Sequence, residues 1–359
     1  MTDPLPTLEG LVCPVPLPHH QRIVMGHGSG GRMSYDLISK IFLTPLDNPV
    51  LRAGDDAAIM LVPNDSNAPG SRLAISTDSH VVMPLFFPGG DIGRLAVCGT
   101  VNDVSMLGAN PQYLTAGFVL EEGLDIDLLA KVVDSMRSAA IESNVQIIAG
   151  DTKVVQKGRA DGLYINTTGF GIIPSGVNIS GSRARPGDVV IISGTIGDHG
   201  IAVLAARGEL NFETQITSDV APLNHLVKTM LEATHEIHVL RDPTRGGLAT
   251  SLNEIAIQSK VSIQLYEDAI PIKPAVSAAC EMLGFDPLYV ANEGKLVAIV
   301  DQNYADKVLS TMKSHPLGMN AAIIGRISDN AGDHVTLKTT FGTTRMVDML
   351  SGEMLPRIC

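Results

Sequence analysis

The chain has 359 residues, 45% of them hydrophobic, which is enough for two globular domains with a core each. Its net charge of −12, from 26 Lys and Arg against 38 Asp and Glu, argues against a nucleic-acid partner, because phosphate contacts depend on basic side chains. The four scattered cysteines disfavour a zinc site and a disulfide framework, and no apolar run has the length of a signal peptide or membrane span, so we expect a cytoplasmic protein without membrane contact.

The first half of the chain predicts an α/β domain that follows an irregular start. Met1–Leu17 is rich in proline, and Arg22–Phe42 has the pattern of an extended piece, a glycine turn and a helix. Apolar or alternating runs then predict strands, and apolar residues three and four apart predict helices between them. The predicted strands are Ala57–Val62, Arg72–Ser76, Gln112–Leu120, Val145–Ala149 and Leu163–Ile173, and the predicted helices are Ile92–Leu107 and Ile126–Ile141.

A second α/β half begins after the turn Arg185-Pro186-Gly187-Asp188, with a strand at Val189–Ser193. The later predicted helices are Ile201–Ala206, Leu223–Glu232, Leu248–Ser259 and Ala275–Leu283, and the strands are Val261–Leu265, Leu296–Val300 and Ala321–Ile327. The chain then divides into a flexible N-terminal segment with a glycine-rich loop (1–39), an N-terminal domain (40–180), a C-terminal domain (185–345) and a mobile tail (346–359).

A glycine-rich stretch, Gly26-His27-Gly28-Ser29-Gly30-Gly31, precedes the first predicted helix. It matches G-x-G-x-x-G formally, but it lacks the long preceding strand and the acidic residue at the end of a second strand that a dinucleotide-binding fold requires. Successive glycines let backbone N–H groups converge on an anion. The stretch therefore favours a loop that covers phosphate, with a plain flexible turn as the alternative.

Acidic residues stand at strand ends or inside an apolar helix, in Gly54-Asp55-Asp56-Ala57-Ala58, Ser76-Thr77-Asp78, Asn102-Asp103 and Arg241-Asp242-Pro243-Thr244. For any single one, a turn or capping role is the simpler interpretation. Asp103 is different because its helix is apolar on nearly every side, and an unpaired buried carboxylate is costly. Oxygen ligands without His or Cys spacing favour Mg²⁺ that also binds phosphate.

Three further motifs fit an anion site. Ala149-Gly150-Asp151-Thr152-Lys153 follows a predicted strand and Thr244-Arg245-Gly246-Gly247 opens a predicted helix, so that Lys153 or Arg245 can neutralise phosphate. Asn292-Glu293-Gly294-Lys295 precedes a strand and fits a hairpin turn equally well.

The last residue is a cysteine, in the tail Glu353-Met354-Leu355-Pro356-Arg357-Ile358-Cys359. A terminal thiol has few structural roles, because chain ends fray and bury little. Fully extended, the segment from Ser351 to Cys359 spans roughly 30 Å. The tail can therefore carry its thiol into a pocket and out to a partner. Prenylation does not apply, because its signal requires a cysteine fourth from the end.

These motifs, in this order and with the terminal Pro356-Arg357-Ile358-Cys359, resemble the HypE family of [NiFe] hydrogenase-maturation proteins. The middle motifs are shared with the wider superfamily of aminoimidazole ribonucleotide synthetase, thiamine-monophosphate kinase and selenophosphate synthetase. The terminal tetrapeptide is specific to the HypE family. The resemblance covers nearly the whole chain and leaves out only the proline-rich start.

The resemblance implies an ATP-dependent carbamoyl dehydratase that acts on its own terminal thiol. A HypF-like carbamoyltransferase would load Cys359, and ATP would phosphorylate the carbonyl oxygen of the S-carboxamide. Loss of the nitrogen protons would then expel phosphate and leave a thiocyanate. The cyano group would pass to the iron of a [NiFe] hydrogenase precursor on a HypC–HypD-like scaffold.

The resemblance also implies an α/β (α+β) fold of two domains, each a mixed sheet with helices packed on it, and a homodimer that forms through the N-terminal domains. Matching positions make Glu293 and Lys153 candidates to deprotonate the nitrogen or to activate the thiol of Cys359. The implied ATP-binding residues are Gly28, Gly30, Gly31, Asp151, Thr152, Thr244, Arg245, Gly246 and Gly247. The implied Mg²⁺ ligands are Asp55, Asp56, Asp78, Asp103 and Asp242.

Two other functions fit the same motifs. The first is a small-molecule kinase or synthetase of this superfamily, such as a selenophosphate synthetase, in which Cys359 is incidental; Cys13, however, lies among prolines and does not match the reactive cysteine of those enzymes. The second is a non-catalytic, ATP-dependent scaffold whose tail only docks a partner. Phosphate release from carbamoylated protein distinguishes the enzyme from the scaffold.

Overall fold

The computed structural model describes residues 23–46, 48–61, 72–208, 215–350 and 352. Two mixed sheets organise them, one of five strands in the first half and one of seven strands in the second. Helices pack on both sheets, which confirms the expected α/β fold of two domains. None of the helices in this part of the chain is both long and apolar enough to cross a membrane.

The first half contains the five-stranded sheet, a short two-stranded ribbon (β3–β4) and two long helices. Its elements are α1 (Arg32–Leu37), α2 (Leu43–Leu46), β1 (Ala58–Leu61), β2 (Arg72–His80), β3 (Phe86–Phe87), β4 (Gly90–Asp91), α3 (Ile92–Met106), β5 (Asn110–Glu121), α4 (Ile126–Glu142), β6 (Gln146–Val155) and β7 (Leu163–Ile173). A π-helical stretch, Ile38–Phe42, joins α1 to α2. The strand order is β1-β2-β7-β5-β6, and only β5 and β6 run parallel.

The second half contains the seven-stranded sheet, in the order β14-β13-β10-β12-β8-β11-β9. Its elements are β8 (Val189–Ile192), α5 (Asp198–Ala206), α6 (Asn224–Ala233), β9 (Ile237–Arg241), α7 (Gly247–Ser259), β10 (Val261–Tyr266), α8 (Pro274–Leu283), β11 (Val297–Val300), α9 (Ala305–Ser314), β12 (Ala322–Ala331), β13 (Val335–Lys338) and β14 (Thr344–Val347). Short 3-10 turns in the two halves lie at Met25–Gly28, Leu51–Ala53, Gly181–Arg183, Glu267–Ala269, Pro287–Tyr289 and Pro316–Gly318.

Aspartates fix the starts of the two long helices in the first half. The side chain of Asp91 accepts hydrogen bonds from the N–H groups of Gly93 and Arg94, and the side chain of Asp125 caps α4 in the same way. Almost every residue of α3 is buried, because this helix packs against the sheet on one side and α4 on the other. A polar residue on α3 is therefore held rigidly.

Strand β6 runs further than the sequence predicted. The apolar run ends at Ala149, but pairing with β5 continues to Val155. The extension is polar, and β6 is an edge strand whose side chains are almost all exposed, so alternation of apolar residues could not reveal it. Asp151 and Lys153 thus lie within a strand and not in a loop after it. Likewise, Met346 and Val347, which the sequence assigned to the tail, end β14.

Arg241 joins the two halves through buried ion pairs. Its Nη1 lies 2.7 Å from Oδ1 of Asp56, which precedes β1, and 3.3 Å from Oε2 of Glu254 on α7. The Arg241 and Asp56 side chains are only 8% and 13% exposed. Removing one member of such a pair leaves an uncompensated charge in a poorly solvated place.

We predict that Arg241→Met lowers the free energy of unfolding by about 3 kcal/mol, since Asp56 then lacks its cation. Arg345→Met is the control, because Arg345 pairs with Asp286 at 2.6 Å but the two side chains are 42% and 31% exposed. Its cost should stay below about 1 kcal/mol. Urea unfolding without nucleotide measures both. Equal, small losses of stability in the two variants would show that the ion pairs of Arg241 do not hold the two halves together.

Candidate functional site

The candidate site lies between the two sheets, where carboxylates from both halves of the chain meet. Asp78 comes from β2 and Asp103 from α3, whereas Asp242 directly follows β9 and Glu293 precedes β11. The charge of Asp242 acts on the pKa of both Asp103 and Glu293, so these groups share one electrostatic environment. The structure therefore brings together four acidic residues that the sequence analysis had singled out.

Asp103 is held by a short hydrogen bond from Ser76. The Ser76 hydroxyl donates to Asp103 Oδ2 at 2.7 Å. Burial raises the pKa of Asp103 well above its usual range, and the charges of Asp242, Asp78 and Asp56 raise it further, while the Ser76 hydrogen bond opposes the shift. Asp103 is half-buried and, contrary to the expectation of an unpaired carboxylate, has a partner in Ser76. Its raised pKa agrees with the expected cost of a carboxylate within an apolar helix.

Asp242 and Glu293 are more deeply buried, at 6% and 4% exposure. Burial raises the pKa of Asp242 to about 6, although Arg241 opposes the shift. Burial also raises the pKa of Glu293, and the negative charges of Asp242 and Asp78 add to this effect. Asp242 Oδ2 and Glu293 Oε1 are buried, and no hydrogen-bond partner for either exists in the part of the chain that is described. Buried acceptor atoms without a partner are expected to bind a cation or a hydrogen-bond donor of a ligand.

Asp55 and Asp56 have structural partners. Asp55 Oδ1 accepts hydrogen bonds from the Gly181 N–H at 2.7 Å and the Ser180 hydroxyl at 3.1 Å, which ties the start of β1 to a 3-10 turn. Asp56 pairs with Arg241; burial raises the pKa of Asp56, and Arg241 opposes the shift. A metal role for either aspartate requires that it share its carboxylate with these partners.

The anion-binding motifs lie beside the carboxylates. Thr244–Gly247 opens α7 as predicted, with Gly246 and Gly247 at φ of 78° and 62°, values that favour glycine. Arg245 Nη2 lies 3.8 Å from Asp78 Oδ1. Gly30 packs on this turn, because a Cβ at Gly30 would lie 2.8 Å from the Arg245 carbonyl oxygen. The glycine-rich loop and the start of α7 therefore form two walls of one site.

The glycine-rich loop also contacts the residue from which the tail departs. Gly28 ends a 3-10 turn and Gly31 precedes α1. The Arg32 N–H donates a hydrogen bond to the Leu350 carbonyl oxygen at 2.8 Å. Leu350 thus lies next to the glycine-rich loop, directly before the segment Ser351–Cys359.

Asp151, Thr152 and Lys153 lie away from this cluster within the single chain. Strands β7 and β5 separate β6 from β2, which places the two strands about 14 Å apart at the usual strand spacing. Lys153 Nζ pairs with Asp151 Oδ2 at 2.6 Å, with both side chains about 70% exposed (69% and 70%). The hydrogen bond from Lys153 lowers the pKa of Asp151.

The carboxylates do not form a complete metal cage. Among residues 23–352 as far as they are described, no three His, Cys, Asp or Glu side chains are arranged to hold a metal ion. Oxygen atoms from a ligand would have to complete the coordination of a hard cation here.

The sequence analysis missed Asp219, which contacts the Glu293 loop. Asp219 Oδ1 accepts a hydrogen bond from the Glu293 N–H at 3.0 Å, and Oδ2 pairs with Lys295 at 3.1 Å. Asp219 lies in the irregular segment 215–223, which has no helical or strand periodicity to reveal it. Its only signal is an aspartate next to the apolar Val220-Ala221-Pro222.

The predicted reactive residue, Cys359, lies outside the described residues, as does Cys13. The two described thiols are buried. Burial raises the pKa of Cys98 to about 12 and that of Cys280 to about 11. Neither forms a thiolate readily near neutral pH.

Comparisons with known proteins agree with the fold. Residues 54–173 match the model of the AIR synthase related protein N-terminal domain, and residues 185–338 match that of the C-terminal domain. The chain is 54% identical to the carbamoyl dehydratase HypE of Cupriavidus necator over 94% of this chain and 95% of that protein.

Two solved structures are similar over most of the chain. The structure of a HypE–HypF complex has a TM-score of 0.83 at 52% identity and covers 88% of this chain and 99% of its own. The structure of the hydrogenase maturation protein HypE in complex with ATP has a TM-score of 0.77 at 49% identity and covers 94% of this chain and all (100%) of its own. With both AIR synthase domains present and half of all residues shared over nearly the full length, the chain belongs to the HypE family of carbamoyl dehydratases.

Proposed function

We propose that the chain uses ATP to dehydrate an S-carboxamide on its own Cys359 to a thiocyanate, and so supplies the cyanide ligand for the iron of a [NiFe] hydrogenase. The observation that carries this proposal is the meeting of Asp103, Asp242 and Glu293 beside the glycine-rich loop and the start of α7. A site with buried acceptors on one side and glycine-lined backbone on the other suits a nucleotide phosphate with a divalent cation.

The residues fit Mg·ATP. Asp242 Oδ2 is a buried oxygen without a partner, and Asp78 and Asp103 supply further hard oxygen donors. Because no three of the described side chains form a complete metal site, one or two of these aspartates would hold Mg²⁺ and phosphate oxygens would complete its coordination. Asp55 and Asp56 are further candidates, and the cation would offset phosphate charge. Thr244–Gly247 and Gly28, Gly30 and Gly31 would bind the phosphates through backbone N–H groups. The structure of the relative with bound ATP supports nucleotide binding.

Cys359 is the best candidate for the reacting thiol. Burial keeps Cys98 and Cys280 protonated, whereas the tail that ends in Cys359 departs near Leu350, which contacts the glycine-rich loop. Leu350 thus lies beside the loop that would bind the phosphates. A free terminal thiol also requires a reducing compartment, which supports a cytoplasmic location.

Glu293 is suited to remove a proton from the carboxamide nitrogen. Burial and the neighbouring carboxylates raise its pKa, which makes its ionised form a stronger base than an exposed glutamate. In the proposed reaction the carbonyl oxygen takes the γ-phosphoryl group of ATP and releases ADP. One nitrogen proton leaves as the phosphoryl group is transferred, which gives a C=N bond. Loss of the second nitrogen proton then forms the C≡N bond as the C–O bond to phosphate breaks, which leaves S–C≡N and inorganic phosphate.

Lys153 acts in this scheme only in an assembled dimer. The face of the five-stranded sheet opposite α3 and α4 exposes Tyr113 and Ile172, at 42% and 44%. Lys153 pairs in register with Val119 of β5. Because side chains alternate along a strand, Val119 lies on the same face as Gly117, Thr115 and Tyr113, and Lys153 shares that face. A second copy on this face would bury Lys153 at the interface, where it would serve as a base or a phosphate ligand.

Two further partners complete the proposed pathway. The HypE–HypF complex of a relative supports loading of Cys359 by a HypF-like carbamoyltransferase. Delivery of the cyano group to a HypC–HypD-like scaffold is the next step that the family resemblance implies. Release of the group as cyanide breaks the S–C bond and returns the thiolate of Cys359, and a two-electron reductant on the iron-bearing scaffold must supply the electrons.

We predict that Cys359→Ala abolishes thiocyanate formation but leaves the Kd for ATP nearly unchanged, because the thiol is substrate and not part of the nucleotide site. Intact-mass spectrometry after incubation with the carbamoyltransferase and ATP measures the loss of one water from the carbamoylated protein. Cys280→Ala is the control and should react normally. A dehydrated adduct on the Cys359→Ala variant, or loss of its ATP binding, would contradict the proposal.

We predict that Asp103→Asn lowers ATP turnover by about 10²-fold or more, because a charge that stabilises the reacting phosphates is lost. Asp127→Asn is the matched control, since Asp127 is an exposed aspartate in the first turn of α4. Its turnover should stay within about twofold of the unmodified protein. Phosphate release from carbamoylated protein is the assay. Equal, small effects of both changes would remove Asp103 from the metal site.

We predict that Asp103→Asn stabilises the nucleotide-free protein at pH 8. The pKa of Asp103 is raised in the folded state, so folding is opposed when the group is ionised, and this cost disappears as the pH falls through the folded pKa. The melting temperature of the variant should exceed that of the unmodified protein by about 2 °C at pH 8, with a smaller difference at pH 5. A variant that melts lower at both pH values would show that Asp103 stabilises the fold.

A further inference from the structure

A buried ion pair supports the Glu293 loop and has no part in the chemistry described so far. Lys295 Nζ lies 3.1 Å from Asp219 Oδ2, and the side chains are 13% and 4% exposed. Asp219 Oδ1 accepts the hydrogen bond from the Glu293 N–H at 3.0 Å. A single carboxylate therefore binds the residues on both sides of Gly294.

The turn around Asp219 is tight. A Cβ at Gly294 would collide with the Asp219 carbonyl oxygen, so only glycine lets the chain wrap around this residue. On the opposite side, the Asn102 amide donates to the Glu293 carbonyl oxygen at 3.2 Å and to that of Ala221 at 3.1 Å. Asn102 Oδ1 also accepts from the Leu223 N–H at 2.8 Å. Both backbone polar groups of Glu293 are thus held.

The ion pair keeps Asp219 charged. Burial acts to raise the pKa of Asp219, but the charges of Lys295 and His199 and the hydrogen bonds from Glu293 and Lys295 outweigh it, so the pKa is lowered. An ionised carboxylate is a stronger acceptor for the Glu293 N–H than a neutral one. The Glu293 side chain, by contrast, keeps one buried oxygen without a partner in the described structure. The backbone is fixed while the carboxylate is free to react.

We infer that Asp219 and Lys295 are positioning residues that hold the Glu293 carboxylate where it removes the substrate proton. The inference rests on the proposed role of Glu293 as base. A buried ion pair often contributes little net stability compared with apolar side chains, so orientation is the better account of this pair. Small displacements of a catalytic group lower the rate strongly. In the described structure the Asp219 and Lys295 side chains bond only to each other and to the turn at Glu293–Gly294, not to the phosphate loops.

The test compares variants of the full-length protein that carry the carbamoyl group on Cys359. Lys295→Met should lower the single-turnover rate of dehydration by about 10²-fold, with a change of less than about threefold in the Kd for ATP. Lys295→Arg restores the cation and should recover most of the rate. Asp219→Asn keeps an acceptor for the Glu293 N–H and removes the charge. Its dehydration rate should lie between the rates of Lys295→Met and Lys295→Arg. Hydrogen exchange at the Glu293 amide should accelerate in Lys295→Met.

Lys273→Met is the matched control, because Lys273 also pairs with a buried carboxylate, Asp198 Oδ2, at 2.9 Å. It should lower the melting temperature without lowering the rate. Parallel losses of stability, ATP affinity and rate in Lys295→Met and Lys273→Met would overturn the inference, as would a normal rate in Lys295→Met. If Lys295→Met does not fold, Asp219→Asn combined with Lys295→Met, which leaves no unpaired charge, decides the question by the same rate criterion.

Glu293→Gln separates this inference from the proposed function. A Glu293→Gln variant with a normal dehydration rate would overturn the role of Glu293 as base. A slow Glu293→Gln variant together with a normal Lys295→Met variant would overturn only the positioning role.

Discussion

Repulsion between carboxylates is the constraint on which the site depends. Asp103, Asp242 and Glu293 occupy one poorly solvated space, and burial raises the pKa of each, with a further contribution from the charge of Asp78. Folding such a cluster costs free energy that the apolar cores must offset. A bound cation would compensate these negative charges. The repulsion that destabilises the empty site would therefore favour binding of the cation and its nucleotide.

The cluster exists because the two sheets meet. The first half supplies Asp103 from the rigid helix α3, and the second half supplies Asp242 and Glu293 from the segments around β9 and β11. Arg241 compensates part of the charge and ties Asp56 to the second sheet. The glycine-rich loop closes the remaining side through contacts with Arg245 and Leu350. The contacts that hold the two halves together therefore also form the site.

The sequence predicted most of this arrangement where a local pattern exists. Asp103 stood out because an acidic residue interrupts an apolar helix, and Thr244–Gly247 stood out because glycines open a helix. The limits of local patterns appear at β6, where polar edge residues hide the extension of the strand, and at β9, where His238 interrupts an apolar run and bonds to the buried Asp188. Asp219 could not be recognised, because its partners lie far away in sequence and come together only in the folded chain.

If Mg·ATP compensates the negative charge of the carboxylate cluster, its binding must release protons from the cluster. Burial raises the pKa of Asp242 to about 6, so this carboxylate is partly protonated at pH 6, and a bound cation must displace the proton. Calorimetry of Mg·ATP binding in buffers of different ionisation enthalpy gives the number of protons exchanged. The account predicts net proton release near pH 6 that fades toward pH 8 and that decreases in Asp242→Asn. Binding without proton release at pH 6, or with proton uptake, would contradict it.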